Sequence, residues 1–285
     1  MSGMDGKQCL ITGGTNGIGL IAARELARQG AHVVIVGRNP EKTAHTVEFM
    51  RQTTGNPNIS SLIGDMSSMA DVRRVAREYA ASHSRLDVLL NNAGAFFGKR
   101  LVTKDGYEMT FALNHLGYYT LTRDLLDLLK RSAPSRVVNV TSEGHRLGRV
   151  NFDDLMGEKR YGAQRAYTQS KLANIMFTHE LAWRLQGTGV TSNCVHPGIV
   201  ATNFAKEHPT GFMSFLIDLF DPLMLTPEQG ADTLIWLSSS PEVEGVTGKY
   251  FYKRKERRPK SQARNPMECS RLWEVSEQLV NKAAP

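Results

Sequence analysis

Tyr167 and Lys171 stand four positions apart in a stretch with helical character. At that spacing two side chains share one helix face, about one turn apart. A phenol with an ordinary pKa of about 10 is a poor base near neutrality. An ammonium beside it favours the phenolate, so Lys171 is expected to lower the Tyr167 pKa. Such a pair can protonate a carbonyl oxygen, or deprotonate an alcohol, while hydride moves on the other side. Ser142 falls at the expected carboxyl end of a strand, the edge of an open α/β sheet at which ligands bind. Its hydroxyl can hold the reacting oxygen.

A second constellation precedes these. The run Thr12-Gly13-Gly14-Thr15-Asn16-Gly17-Ile18-Gly19 links an apolar strand-like segment to a helix. A turn leaving a strand with positive φ needs glycine. A backbone that approaches a pyrophosphate must carry no Cβ there, and the helix N-terminus supplies unpaired N–H groups and a positive dipole end. Gly13, Thr15, Asn16, Gly17, Ile18 and Gly19 are therefore candidate cofactor contacts. No G-x-x-x-x-G-K occurs, which argues against a mononucleotide phosphate loop. The second strand ends Val36-Gly37-Arg38-Asn39, without the carboxylate that would hold the ribose hydroxyls of NAD. Arg38 can instead pair with a 2′-phosphate, so the expected cofactor is NADP(H). Asp65, closing the third strand, is either a partner for an adenine amino group or a helix N-cap.

The elements needed to position these groups are legible as an alternation. Short runs rich in Val, Ile and Leu at Gln8–Thr12, His32–Val36, Ser60–Asp65, Val88–Asn91, Arg136–Thr141 and Thr191–Val195 have the character of parallel strands covered on both faces. Helical segments lie between them. Ile18–Gln29 ends at Gly30, Pro40 suits the first turn of a second helix, and Ser67 or Ser68 caps a third over Ser68–Ala81. The order implies an α/β fold, one Rossmann-type doubly wound parallel sheet with helices on both faces, spanning residues 1–285 as a single domain. A last strand is expected at Gly248–Tyr252 and a closing helix at Met267–Asn281.

Of 285 residues, 41% are hydrophobic and 22% charged, an ordinary globular balance. No apolar stretch reaches the roughly 18 residues of a membrane span. Met1 to Lys7 reads as neither a secretory signal nor an anchor. Cys9, Cys194 and Cys269 are too far apart for a disulfide framework or a zinc cluster, and His115, His145 and His196 have no metal spacing. A reducing, cytoplasmic setting without a bound metal is expected. The net charge of +7 is concentrated: residues 253–264 hold seven Lys or Arg and one Glu. That is a local patch rather than a nucleic-acid-binding protein; a solvated surface loop is its plain reading, with an anionic membrane surface or a protein partner as alternatives. Trp183, Trp236 and Trp273 read as packing residues.

The chain resembles the short-chain dehydrogenase/reductase superfamily over nearly its whole length. The resemblance rests on the TGGTNGIG loop, Asp65-Met66-Ser67, Asn91-Asn92-Ala93-Gly94, Asn114, Ser142, Tyr167 with Lys171, and Pro197-Gly198, in that order. It implies a catalytic group of Asn114, Ser142, Tyr167 and Lys171. In that scheme Lys171 also contacts the nicotinamide ribose, and Asn114 holds a water in a proton relay. Asn91 would fix the turn after the fourth strand. Met66, Asn92, Ala93 and Gly94 would approach the cofactor, and Pro197, Val200 and Thr202 would line its nicotinamide side. Within the superfamily the chain is similar to the retinol dehydrogenase-like branch, through NHLGYY (114–119), RVVNVTSEGHRLG (136–148), FDDLMGEKRY (152–161) and VHPGIVATN (195–203).

Asn203–Thr226 is dense in Phe, Leu, Met and Ile and is expected to form a lid over an apolar substrate. The expected activity is therefore reduction of a lipophilic aldehyde or ketone, or the reverse oxidation, a retinal-like or fatty aldehyde being one case. Two other readings use the same fold: a non-catalytic NADP(H)-binding scaffold or sensor, and a light-dependent reductase of the protochlorophyllide type. Peripheral membrane contact and a homodimer are compatible with the sequence.

Overall fold

The computed structural model describes residues 3–198 and 225–283. The lid stretch up to residue 224, with Val200 and Thr202, lies outside the described residues. Eight strands form one sheet: β1 (Gln8–Thr12), β2 (His32–Gly37), β3 (Ile59–Ile63), β4 (Val88–Asn91), β5 (Ser135–Val140), β6 (Val190–Val195), β7 (Lys249–Tyr252) and β8 (Lys255–Arg257). Their order is β3-β2-β1-β4-β5-β6-β7-β8. The first seven pair in parallel, and β8 returns antiparallel to β7. The order reverses between β1 and β4, which opens a crevice at the carboxyl ends of the strands.

Nine helices surround this sheet among the described residues. They are α1 (Gly17–Arg28), α2 (Pro40–Thr54), α3 (Met69–Ser82), α4 (Met109–Phe111), α5 (Gly117–Asp124), α6 (Leu126–Arg131), α7 (Ala163–Arg184), α8 (Pro227–Ser239) and α9 (Pro266–Lys282). Alternate strand residues face opposite ways, and each set builds its own core. Cys9, Ile11, Val33, Ile35, Leu90 and Val138 pack against α1, α2 and α8. Leu10, Val34, Leu89, Val137, Cys194 and Tyr250 pack against α3, α5, α7 and α9. Both faces of the central strands are thus covered, whereas β3 at the edge is only partly buried.

Local chemistry sets the helix ends. Asn39 accepts a hydrogen bond from Lys42 N–H ahead of Pro40, and Gly55 closes α2 with φ of 69°. Ser68, not Ser67 or Asp65, caps α3 through Asp71 N–H. Thr226 and Gln229 form a reciprocal capping box on α8.

Three expectations are corrected. The 253–264 segment is not simply a loop: Lys253 and Arg254 form a tight turn with positive φ, and β8 comes next. The sheet is therefore not wholly parallel. Trp183 is 64% exposed rather than packed.

Candidate active site

The carboxyl ends of β1, β4 and β5 bring the two sequence constellations together. Asn16 caps α1 by accepting from Gly17 N–H at 2.8 Å, and its carbonyl accepts from Leu20 N–H at 3.2 Å. Ile18 and Gly19, in the first turn, have no intrahelical acceptor for their N–H groups. Gly13 has φ of 67°, and a Cβ there would press on the Ala93 backbone at 2.9 Å. A Cβ on Gly19 would collide with Asn92 Nδ2 and Gly13 O. These glycines therefore admit the loop after β4 as well as any ligand.

That second loop is tied down by a residue not singled out from sequence. Thr12 Oγ1 accepts from Asn92 N–H at 2.9 Å and Ala93 N–H at 3.0 Å. The Asn92 side chain returns two bonds, to Thr12 O at 2.9 Å and Gly13 O at 3.1 Å. Asn91 plays a different part from the one expected. Its amide donates to Thr122 Oγ1 at 3.0 Å and Asn139 Oδ1 at 2.9 Å, and Asn139 donates on to Thr178 Oγ1 at 3.0 Å. This buried ladder fastens β4 and β5 to α5 and α7. Asn92, not Asn91, fixes the turn.

Arg38 comes directly after β2, exposed, with no carboxylate partner among the described residues. Asp65 lies beyond β3. Its Oδ1 accepts from Ser67 N–H at 2.9 Å and Ser67 Oγ at 2.7 Å, while its own N–H donates to Asp71. It organises the turn that carries buried Met66 and does not cap α3.

Asn114 is buried within a π-helical turn, Ala112–Leu116, set between α4 and α5. Such turns are rare and concentrate at functional sites. The Asn114 amide is committed on both sides: Oδ1 accepts from Ala95 N–H at 2.9 Å, and Nδ2 donates to Ala95 O and Ser170 Oγ, both at 3.0 Å. Gly94 lies in the gap beyond. A Cβ on it would stand 3.1 Å from Asn114 Oδ1 and 3.2 Å from Lys171 Nζ.

Ser142 lies just beyond β5 and caps the short turn Glu143–Arg146. Its Oγ accepts from Gly144 N–H at 3.1 Å, and a Cβ on Gly144 would stand 3.4 Å from that oxygen and 3.8 Å from the Tyr167 ring, so the two side chains are near neighbours. The Ser142 carbonyl accepts from His145 N–H at 3.1 Å and His145 Nδ1 at 2.7 Å, so the imidazole carries its proton on Nδ1. Tyr167 and Lys171 share a face of α7, with Nζ 5.7 Å from the phenol ring centre. The Phe96 ring meets Tyr167 edge-on at 5.8 Å.

The electrostatics differ from the expected lowering. Burial raises the Tyr167 pKa above the usual tyrosine value, and the Ser142 hydrogen bond offsets this only in part. Burial also lowers Lys171, to about 8. The Lys171 ammonium approaches Val140 O at 3.5 Å. Thr141, the neighbour of Ser142, donates Oγ1 to Lys171 O at 2.6 Å and so faces α7 rather than the crevice. Pro197 lies beyond β6 at the same edge, and Gly198 donates its N–H to His196 Nδ1 at 3.2 Å.

A model of the short chain dehydrogenase family matches residues 7–211.

The chain belongs to the short-chain dehydrogenase family.

Within it, the chain is similar to the retinol dehydrogenases. It is 42% identical to human retinol dehydrogenase 14, across 97% of this chain and 87% of that one. The fold is similar to that of an uncharacterised Mycobacterium paratuberculosis protein, with 30% identity, a TM-score of 0.79, and coverage of 99% and 96% of the two chains. It is also similar to the Pseudomonas aeruginosa RhlG/NADP active-site complex, at 28% identity, TM-score 0.71 and coverage of 88% and 96%.

Proposed function

We propose that this dehydrogenase uses NADP(H) to interconvert a carbonyl and an alcohol on a lipophilic substrate, with Tyr167 as the acid and base. The observation that carries the reading is the meeting of Ser142, Tyr167 and Lys171 at the carboxyl edge of β5, beside the glycine loop.

The residues present fit the cofactor. The first-turn N–H groups of α1 suit a pyrophosphate. Arg38, with no carboxylate at the end of β2, suits a 2′-phosphate. Asn92, Ala93 and Gly94 present a side-chain-poor edge next to Lys171. The NADP-bound structural relative supports the same assignment. When bound, NADPH supplies the hydride that reduces the carbonyl carbon.

The chain's own groups handle the proton. Gly144 N–H donates to Ser142 Oγ, and the Tyr167 ring borders the same glycine. Ser142 and Tyr167 can then hold one carbonyl oxygen between them, and Tyr167 releases its proton to that oxygen. The phenol carries its proton near neutrality, the form that carbonyl reduction needs. Lys171 supports the phenolate left behind. Asn114 acts through Ala95 and Ser170, holding the loop after β4 against α7.

The similarity to retinol dehydrogenases supports an apolar substrate, a retinal-like or fatty aldehyde being the leading class. The test is a panel of hydrophobic and small polar carbonyls with NADPH, monitored by loss of its absorbance. Preference for the hydrophobic members is expected. Preference for the polar ones overturns the substrate class, and NADPH binding without turnover of any carbonyl overturns catalysis in favour of a scaffold role.

A further inference from the structure

Two segments far apart in sequence meet beside Ser142. The turn that starts on Ser142 runs through Arg146 into Leu147, Gly148 and Arg149. Lys260 Nζ donates to Gly148 O at 2.6 Å. Val150 N–H donates to Gln262 Oε1 at 3.0 Å, and Gln262 Nε2 donates back to Val150 O at 3.1 Å. Tyr250 OH donates to Glu143 Oε2 at 2.9 Å, which binds β7 to the same turn.

Register then places the cations. Arg257 pairs with Tyr250 and Lys255 with Tyr252 across the β7–β8 hairpin. Directly opposed residues share a sheet face, so Arg257 and Lys255 lie on the side where Tyr250 meets Glu143. Glu256 lies on the other side and bonds Lys249 Nζ at 3.0 Å.

The nearby carboxylates are already matched: Glu143 with Arg146, Asp232 with Arg254, and Glu256 with Lys249. Arg149, Lys253, Lys255, Arg257 and Arg258 are exposed and meet no carboxylate among the described residues. Leu147, two positions before Arg149 in the turn that Lys260 and Gln262 hold against this segment, is 74% exposed. A large apolar side chain held in water among unmatched cations is the combination that an anionic bilayer satisfies: the charges draw the surface down and the leucine enters the headgroup layer.

We propose that this face, formed by residues 146–149 and the β7–β8 hairpin, is a docking surface for an anionic lipid bilayer. Nucleic acid fits it less well, because the feature beside the cations is an aliphatic side chain and not an exposed aromatic platform on which bases stack. The turn that carries Leu147 also begins at Ser142, so docking sets the proposed active-site edge against the layer that dissolves lipophilic substrates. The docking itself is independent of the oxidoreductase reading, since binding is measured without turnover.

The experiment is co-sedimentation of the whole protein with phosphatidylcholine vesicles, with and without phosphatidylserine. Binding is expected only with phosphatidylserine, weakening as salt rises. The triple variant R149E/R257E/R258E is expected to lose at least on the order of 100-fold in partition, the loss of three cations at about 1 kcal/mol each, with added repulsion from the new carboxylates. Leu147→Ser is expected to weaken binding several-fold with the same salt slope. The substituted side chains are exposed, and unchanged thermal unfolding checks that both variants fold. Equal binding to neutral vesicles, no binding to either, an unaffected triple variant, or preferential capture of duplex DNA each overturns the proposal.

Discussion

Ser142 and Tyr167 both border Gly144, where an added Cβ would stand 3.4 Å from the Ser142 hydroxyl and 3.8 Å from the Tyr167 ring, so the end of β5 meets the first turns of α7. If that contact governs proton transfer, Tyr167→Phe should lower kcat for carbonyl reduction by roughly 10²–10⁴-fold. Ser142→Ala should fall in the same range. NADPH affinity, read by fluorescence titration, should change little in either variant, because neither hydroxyl carries the cofactor. A variant with near-normal kcat would remove the group from the reaction.

The same pair of residues, Tyr167 and Lys171, predicts a pH profile. Burial lowers Lys171 to about 8, so its ammonium is present below that pH and lost above it. Burial raises Tyr167, so the phenol keeps its proton across the same window. Reduction needs both the proton and the charge. Its kcat/KM should be level below about pH 8 and decline above it, whereas alcohol oxidation, which needs the proton removed, should gain as pH rises. Lys171→Arg keeps a cation at every accessible pH. The residual reductase activity of that variant should lose the decline near 8, and a decline that persists assigns it elsewhere.

Arg38 is expected to set the choice of dinucleotide. Arg38→Asp replaces a cation that suits a 2′-phosphate with a carboxylate that suits a ribose diol. The ratio of kcat/KM for NADPH over NADH should fall by at least about 100-fold, from loss of a charge-assisted pair worth about 1.5–3 kcal/mol and gain of repulsion. Because Arg38 is exposed just beyond β2, thermal stability should be unaffected. An unchanged ratio would show that the phosphate is not read at this position.

Asp87 makes a stability prediction far from the chemistry. It is 3% exposed, and its carboxylate accepts from Arg85 at 2.7 Å, Gln8 N–H at 2.9 Å and Lys7 at 3.0 Å. Burial alone would raise its pKa, but Arg85, Gln8 N–H and Lys7 together hold it below the usual carboxylate value. Its stabilisation is therefore present at neutral pH and lost as pH falls through the depressed value. Asp87→Ala should cost about 2 kcal/mol in urea denaturation, less than a fully buried pair because both cations are partly solvated. The deficit should narrow in acid.

Burial decides how much of this is legible in the sequence. β2 and β4 are nearly all apolar because helices cover both faces, so composition alone marks them. β8 escapes such a reading because its residues, Lys255, Glu256 and Arg257, are all exposed at the sheet edge and carry no apolar signal. Charges of this kind are what a protected edge uses to resist further pairing. The glycine loop and the Tyr167–Lys171 spacing are readable because backbone geometry and helix period dictate them. The parts played by Thr12, Gly144 N–H and His145 are not, since they depend on contacts between loops that only the assembled sheet brings together. The direction of the Tyr167 shift differs from the sequence expectation for the same reason: the letters show the neighbouring lysine but not the burial of the phenol.

The π turn at Ala112–Leu116 makes length, rather than composition, a condition of the site. Deleting one residue there would let the segment wind as an ordinary α-helix with its apolar content nearly intact. The flanking turns would stay nearly in register, because an i→i+5 turn absorbs one extra residue, but the widened turn that brings Asn114 to Ala95 and Ser170 would be lost. Grafts and chimaeras built across this helix must conserve the residue count between those anchors, even where they are free to change the letters.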